Sequence, residues 1–77
     1  MITPEHLTQY ILQAMPDAEV TVTDKTGTSD HFILRIVSDA FAGKNPLDRQ
    51  RLVYQVLNEP MSDGRIHALE IRTETKS

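Results

Sequence analysis

Cysteine is absent from this chain of 77 residues, and at that length its absence is the tightest constraint on the fold. A domain this small buries a limited core, and many chains of this size rely on disulfides or a thiolate-bound metal to stay folded. Neither staple can come from this sequence, and neither can a Cys nucleophile. The fold must be held by packing, in one domain spanning residues 1–77, with net stability expected at the low end of the usual ~5–15 kcal/mol. Hydrophobic residues make up 39% and charged residues 25%. Those shares suit a globular core and argue against a disordered tail.

The spacing of apolar residues supplies the elements. Thr3-Pro4-Glu5 reads as a helix start: a hydroxyl cap, a proline whose missing N–H costs nothing in the first turn, and an acid near the positive end of the dipole. Leu7, Tyr10, Ile11, Ala14 and Met15 recur at helical spacing, and Pro16 stops the helix near Met15. Ala18, Val20 and Val22 alternate with Glu19, Thr21 and Thr23, the pattern of a half-buried strand. Turn chemistry around Gly27 fills 24–30, and the β-branched run 31–37 predicts a second strand, so an antiparallel hairpin is expected. Segment 38–43 reads as a short helical turn ended by Gly43 and anchored by Phe41. Asn45, Pro46 and Asp48 start a second helix with a buried stripe of Leu52, Val53, Val56 and Leu57. Arg49 and Arg51 fall off that stripe, and Pro60 marks the end. After a turn at Asp63-Gly64, residues 65–73 are expected as the last strand, with His67, Leu69 and Ile71 on one face and Ile66, Ala68 and Glu70 on the other. Residues 75–77 read as a frayed tail.

A helix between the second and third strands makes a crossover, which implies that those strands run parallel with a right-handed connection. The expected fold is α+β, of order αββαβ, with a three-stranded mixed sheet and helices packed on one face.

Charge narrows the function. Eight Lys+Arg against eleven Asp+Glu leave a net charge of −3, a poor basis for tight, sequence-independent nucleic-acid binding. No apolar run approaches the ~20 residues that span a bilayer. The start, Met1-Ile2-Thr3-Pro4-Glu5, lacks the basic residues and apolar stretch of a signal peptide, so a cytoplasmic protein is expected.

Catalytic patterns are thin. Ser29, Ser38 and Ser62 fall in turns without the small neighbours of a strained nucleophile elbow, and Gly27, Gly43 and Gly64 are isolated turn residues rather than a phosphate loop. A chain this short is expected to have little room for a ligand pocket of ~300 Å³. His6, His31 and His67 show no metal-binding spacing. His6 reads as a solvated residue of the first helical turn, and His31 as a polar residue opening the second strand. His67 has two readings: a half-buried imidazole bonded to a backbone carbonyl, or a neutral imidazole at an open sheet edge, available to a metal through one ring nitrogen. Lys44, Arg49 and Arg51 read as a small basic patch, either a solvated helix face or a phosphate contact.

Two separated motifs point further. The stretch from His31 to Gly43, HFILRIVSDAFAG, continues into Lys44-Asn45-Pro46-Leu47-Asp48-Arg49-Gln50-Arg51-Leu52-Val53-Tyr54, and Arg65-Ile66-His67-Ala68-Leu69 follows later. Together they resemble the signature of the BolA family over nearly the whole chain. The resemblance implies a small domain related to the type II KH fold and a non-enzymatic, partner-dependent role. BolA proteins pair with monothiol glutaredoxins, and the pair can hold a [2Fe–2S] cluster. A partner Cys and a glutathione thiol would serve one iron, and the family His, matched by His67, would serve the other. The family's second ligand lies in the loop between the first two strands, as His or Cys. Here 24–30 contains neither, which leaves His31 as the candidate. Alone, the chain is expected as a monomer or weak homodimer.

The departures carry expectations as well. Many relatives have Arg-His-Arg where this chain has Arg49-Gln50-Arg51. The C-terminal Thr-Pro-Glu and helix usual in relatives are not expected after Thr73-Glu74-Thr75-Lys76-Ser77, so partner contacts made by that tail in relatives are expected to be absent. Some relatives regulate cell shape and stress responses as DNA-binding proteins, a role that would fall here to Lys44, Arg49 and Arg51. The GXXG grip of KH domains is not supported, because the corresponding stretch holds Gly43 alone.

Overall fold

The second strand organises the rest. Along His31–Val37, Phe32, Leu34 and Ile36 point to one side and are essentially inaccessible to solvent, whereas His31 and Arg35 on the other side are exposed. The computed structural model describes residues 2–25, 31–66 and 68–76. In chain order it contains α1 (Pro4–Ala14), β1 (Glu19–Asp24), β2 (His31–Val37), a 3₁₀ turn (Asp39–Phe41), α2 (Pro46–Val56), α3 (Asn58–Ser62) and β3 (Ala68–Glu74). The sheet order is β1-β2-β3. β1 pairs antiparallel with β2 from Glu19↔Val37 to Asp24↔Phe32, and β3 pairs parallel with β2 from His31↔Ala68 to Val37↔Glu74. The α+β architecture with a three-stranded mixed sheet is the one expected from the sequence.

The core forms where the apolar side of β2 meets the helices. Ile2, Leu7, Ile11 and Met15 come from α1 and its flanks, Val53 and Leu57 from α2 and its end, and Phe41 from the 3₁₀ turn. The open face of the sheet is mostly polar, with Ile33 and Val37 as its apolar residues on β2. Arg35 pairs with Glu74 at 2.6 Å, and Glu70 pairs with Lys25 at 3.8 Å and with Arg72 at 4.0 Å. Such exposed pairs contribute little to stability, but they keep that face soluble.

The caps follow the sequence. Thr3 accepts from the His6 N–H at 3.1 Å, and Asn45 accepts from the Asp48 N–H at 2.9 Å. Gly43 follows the 3₁₀ turn at φ 76°, in the left-handed region that glycine occupies without strain.

Four local expectations are corrected. Pro60 does not end the helical region: α2 stops at Val56, and Pro60 sits buried in the first turn of α3, where its missing N–H would have had no helical partner. β3 begins at Ala68 rather than at residue 65. Ile66 is therefore not on the sheet's opposite face but packs in the core at 3% exposure, its N–H donating to the Pro60 carbonyl. Ala14, assigned to the apolar face of α1, is exposed. The placement of His67 beside Leu69 and Ile71 lies outside the described residues, as does most of the hairpin turn.

One latch was not visible in the sequence. Ser38, fully buried, donates to Asp17 Oδ1 at 2.8 Å and accepts from the Ala40 N–H, while the Asp39 N–H donates to Asp17 Oδ2 at 2.9 Å. The Asp39 N–H first, and the Ser38 hydroxyl next, hold the Asp17 carboxyl below its ordinary value. A carboxyl depressed by folding stabilises above its unfolded pKa of about 4, and that contribution is lost as pH falls through the lower folded value. Thermal melts at neutral pH and near pH 3 are expected to show a larger drop for the wild type than for Asp17→Ala.

Candidate functional site

The N-terminal ends of β2 and β3 lie side by side. His31 opens β2 and is exposed, and its carbonyl accepts from the Lys25 N–H at 2.8 Å, which closes the hairpin. Its register partner is Ala68, the first residue of β3 and the one that follows His67 in the chain. His67 and residues 26–30 are outside the described residues. The residues immediately before His67 are held by the turn and the core. Gly64, at φ 84°, turns the backbone after α3, Ile66 is anchored in the core, and Arg65 reaches back across the molecule.

Arg65 is the centre of a polar cluster that local sequence patterns did not reveal. Its Nε donates to Asp63 Oδ2 at 2.9 Å, and its terminal nitrogen donates to the Tyr10 hydroxyl at 3.0 Å and to Glu59 Oε1 at 3.3 Å. The Tyr10 hydroxyl in turn donates to Glu59 Oε1 at 3.2 Å. The guanidinium also lies 5.8 Å from the Tyr10 ring centroid, and His6 stacks on the same ring at 5.2 Å. The Asp63 bond, and then the Tyr10 bond, raise the Arg65 pKa further above its ordinary value, so the cation is permanent. Asp63 is held below the usual carboxylate value, chiefly by the same side-chain bond. Tyr10 had the spacing of a core residue in α1, and nothing local links it to Arg65, 55 positions away.

The basic patch is divided rather than assembled. Residues two apart on a helix diverge by about 200°. Arg49 turns back to the helix start, where its Nε donates to the Lys44 carbonyl at 2.9 Å. Arg51 lies 3.7 Å from Asp48 and lines an open surface groove of about 490 Å³ with Tyr54, Gln55 and Asn58. That volume exceeds what the chain length suggested. Lys44 is exposed. Between the two arginines, Gln50 donates to the Ile71 carbonyl at 3.1 Å and ties α2 to β3, so this position serves the sheet.

Other candidates have structural partners. The Ser38 hydroxyl is engaged by Asp17, and Ser62 donates to Asn58 at 3.3 Å. Ser29 lies outside the described residues. Among the described residues, no three His, Asp or Glu side chains converge in a way that would hold a metal ion, and no helix is long and apolar enough to cross a membrane.

With this geometry in place, the likeness to known proteins is specific. A family model described as BolA-like protein matches residues 4–77. A protein from the rpoN-murA intergenic region of Acinetobacter guillouiae is 46% identical over 72 residues, covering 94% of this chain and 83% of that protein. A DNA-binding transcriptional regulator BolA from Vibrio cholerae is 45% identical over 49 residues, 64% of this chain but 45% of the regulator. Several of the curated relatives are much longer than the stretch they share with this chain: the match covers 35% of BolA-like protein 1 from Mus musculus. Among solved structures, BolA1 from Arabidopsis thaliana superposes with a TM-score of 0.86 at 28% identity, covering 99% of this chain and 95% of that one.

Among the described residues, none makes a side-chain bond to His31, which is exposed. Replacing an exposed strand-end residue of this kind changes stability by at most about 0.5 kcal/mol. His31→Ala is expected to melt within a few degrees of the wild type by circular dichroism, leaving it a clean variant for ligand tests.

Proposed function

The chain belongs to the BolA-like protein family, and from that premise we propose that it is a non-enzymatic adaptor for a monothiol glutaredoxin. In this reading the two proteins and glutathione share a [2Fe–2S] cluster, in cluster assembly, trafficking or iron sensing. The role is cytoplasmic, and the chain alone is a monomer or weak homodimer.

The donor chemistry fits a half-site. A chain without cysteine can offer iron no thiolate, and imidazole is an accepted replacement for thiolate on one iron of such a cluster. His67 is the principal nitrogen donor. The observation that carries the reading is the parallel register: His31, exposed at the start of β2, is paired with the residue that follows His67. That register supports His31 as the second donor, in place of the ligand that relatives carry in the preceding loop. When bound, the cluster supplies iron with exchangeable ligands, and this chain's part is to present nitrogen at the sheet end and to dock the partner. The non-enzymatic reading is supported by Ser38, whose hydroxyl is occupied by Asp17 rather than by an imidazole.

The test is reconstitution with a monothiol glutaredoxin and glutathione. Adding the wild-type chain is expected to change the visible circular dichroism of the glutaredoxin-bound cluster, and adding His67→Ala is expected to leave it unchanged. A mutant that produces the wild-type spectrum removes His67 from the ligand set.

A second reading has a specific observation behind it, the named DNA-binding function of the Vibrio cholerae relative. Here the chain would be a nucleic-acid-binding regulator of stress response or cell morphology, with Lys44, Arg49 and Arg51 contacting phosphate. The acidic net charge and the divergence of the two arginines rank it second. It predicts duplex affinity that falls steeply with salt, and a shallower salt slope for the Arg49→Ala/Arg51→Ala double variant. The absence of any duplex shift at low salt would refute it.

A further inference from the structure

Resting on the reading that His67 meets iron, we propose that Tyr10, Glu59 and Arg65 form a positioning clamp for the segment that delivers this histidine. The sheet leaves a gap before β3. Among the described residues, β3 begins at Ala68, and residues 63–66 have no ladder partner on β2 to order them. They are ordered nevertheless. The Arg65 N–H donates to Asp63 Oδ1 at 3.1 Å, and the Ile66 N–H donates to the Pro60 carbonyl at 3.2 Å. The Arg65 side chain is gripped from the turn by Asp63, from α3 by Glu59 and from α1 by Tyr10. The two residues before His67 are thus held at backbone and side chain, and the residue after it is held by the sheet.

The clamp adds little to global stability. Its ion pairs involve carboxylates that are about half to three-quarters exposed, and exposed pairs contribute weakly. Its effect is local. A ligand that follows an anchored segment has less freedom to lose on binding, and outer partners that orient ligands typically set metal affinity by about 10- to 100-fold. Tyr10 is the part of the clamp furthest away in sequence. Its hydroxyl accepts from Arg65 and donates to Glu59, so it joins both arms and couples α1 to the histidine segment. Tyr10 and Arg65 are positioning residues and make no contact with iron.

Tyr10→Phe removes only the hydroxyl and keeps the ring beneath Arg65 and against His6. The experiment compares wild type, Tyr10→Phe, Arg65→Lys, His67→Ala and the Tyr10→Phe/His67→Ala pair. Three readouts are taken: melting temperature, amide exchange of residues 65–69 in the free chain, and a visible circular dichroism titration against a glutaredoxin carrying a glutathione-ligated [2Fe–2S] cluster. Tyr10→Phe is expected to melt close to wild type, to exchange several-fold faster at 65–69, and to shift the titration midpoint by about tenfold. Arg65→Lys, which keeps the charge but not the fork, is expected to do the same. In the His67→Ala background the hydroxyl is expected to have no further effect on the titration. Wild-type exchange in Tyr10→Phe, or faster exchange with an unmoved titration, overturns the clamp. If His67→Ala itself titrates like wild type, the iron-ligand reading fails instead, and with it the clamp's purpose.

Discussion

The apolar face of β2 is the constraint from which the rest follows. Phe32, Leu34 and Ile36 have to leave water, and β2 is the middle strand, so its two edges are already occupied by β1 and β3. The helices can cover only one side of a three-stranded sheet in a chain this short. Burying that side against α1, α2 and the Phe41 turn provides most of the driving force. With no disulfide to help, the core cannot give up that packing. Functional chemistry is therefore pushed to the sheet's ends and margins, where polar residues cost nothing.

The polar interactions sort into two kinds. Asp17 and Ser38 form a latch that joins the turn after α1 to the turn after β2, and part of it is fully buried. A buried hydroxyl left without a partner would be costly, so this latch belongs to the fold. The Arg65 cluster lies nearer to solvent and is weak in stability terms, yet it orders the one stretch next to His67 that the sheet does not. A small domain can keep a rigid core and still control the geometry of its margin through such a contact.

Much of the fold was legible because its signals are local. A Thr or Asn cap followed by Pro starts a helix by its own stereochemistry, and both starts are where the sequence places them. The β-branched run 31–37 coincides with β2 from end to end. Pro60 misled because proline breaks a helix interior but suits a first turn, and only the break after Val56 shows which applies. The start of β3 was misplaced because Ile66 is apolar whether it sits in a strand or plugs a core. At the site, the histidines and the two motifs were legible as residue types. The Tyr10–Arg65 bond was not, because it joins positions that no periodicity relates. Arg49 and Arg51 read as one patch because they are near in sequence, whereas a helix sends them apart.

The sequence by itself determined the order of the three strands and the two long helices, most of the apolar faces, the lack of thiols and the family, because each rests on residue identity and short-range spacing. Tertiary structure alone decided the register that sets His31 against Ala68, the grip of Tyr10 and Glu59 on Arg65, the capture of the Ile71 carbonyl by Gln50, and the Asp17 latch. Those contacts join residues far apart in the chain. They exist only after the core has closed, since packing of the apolar faces fixes which polar groups meet.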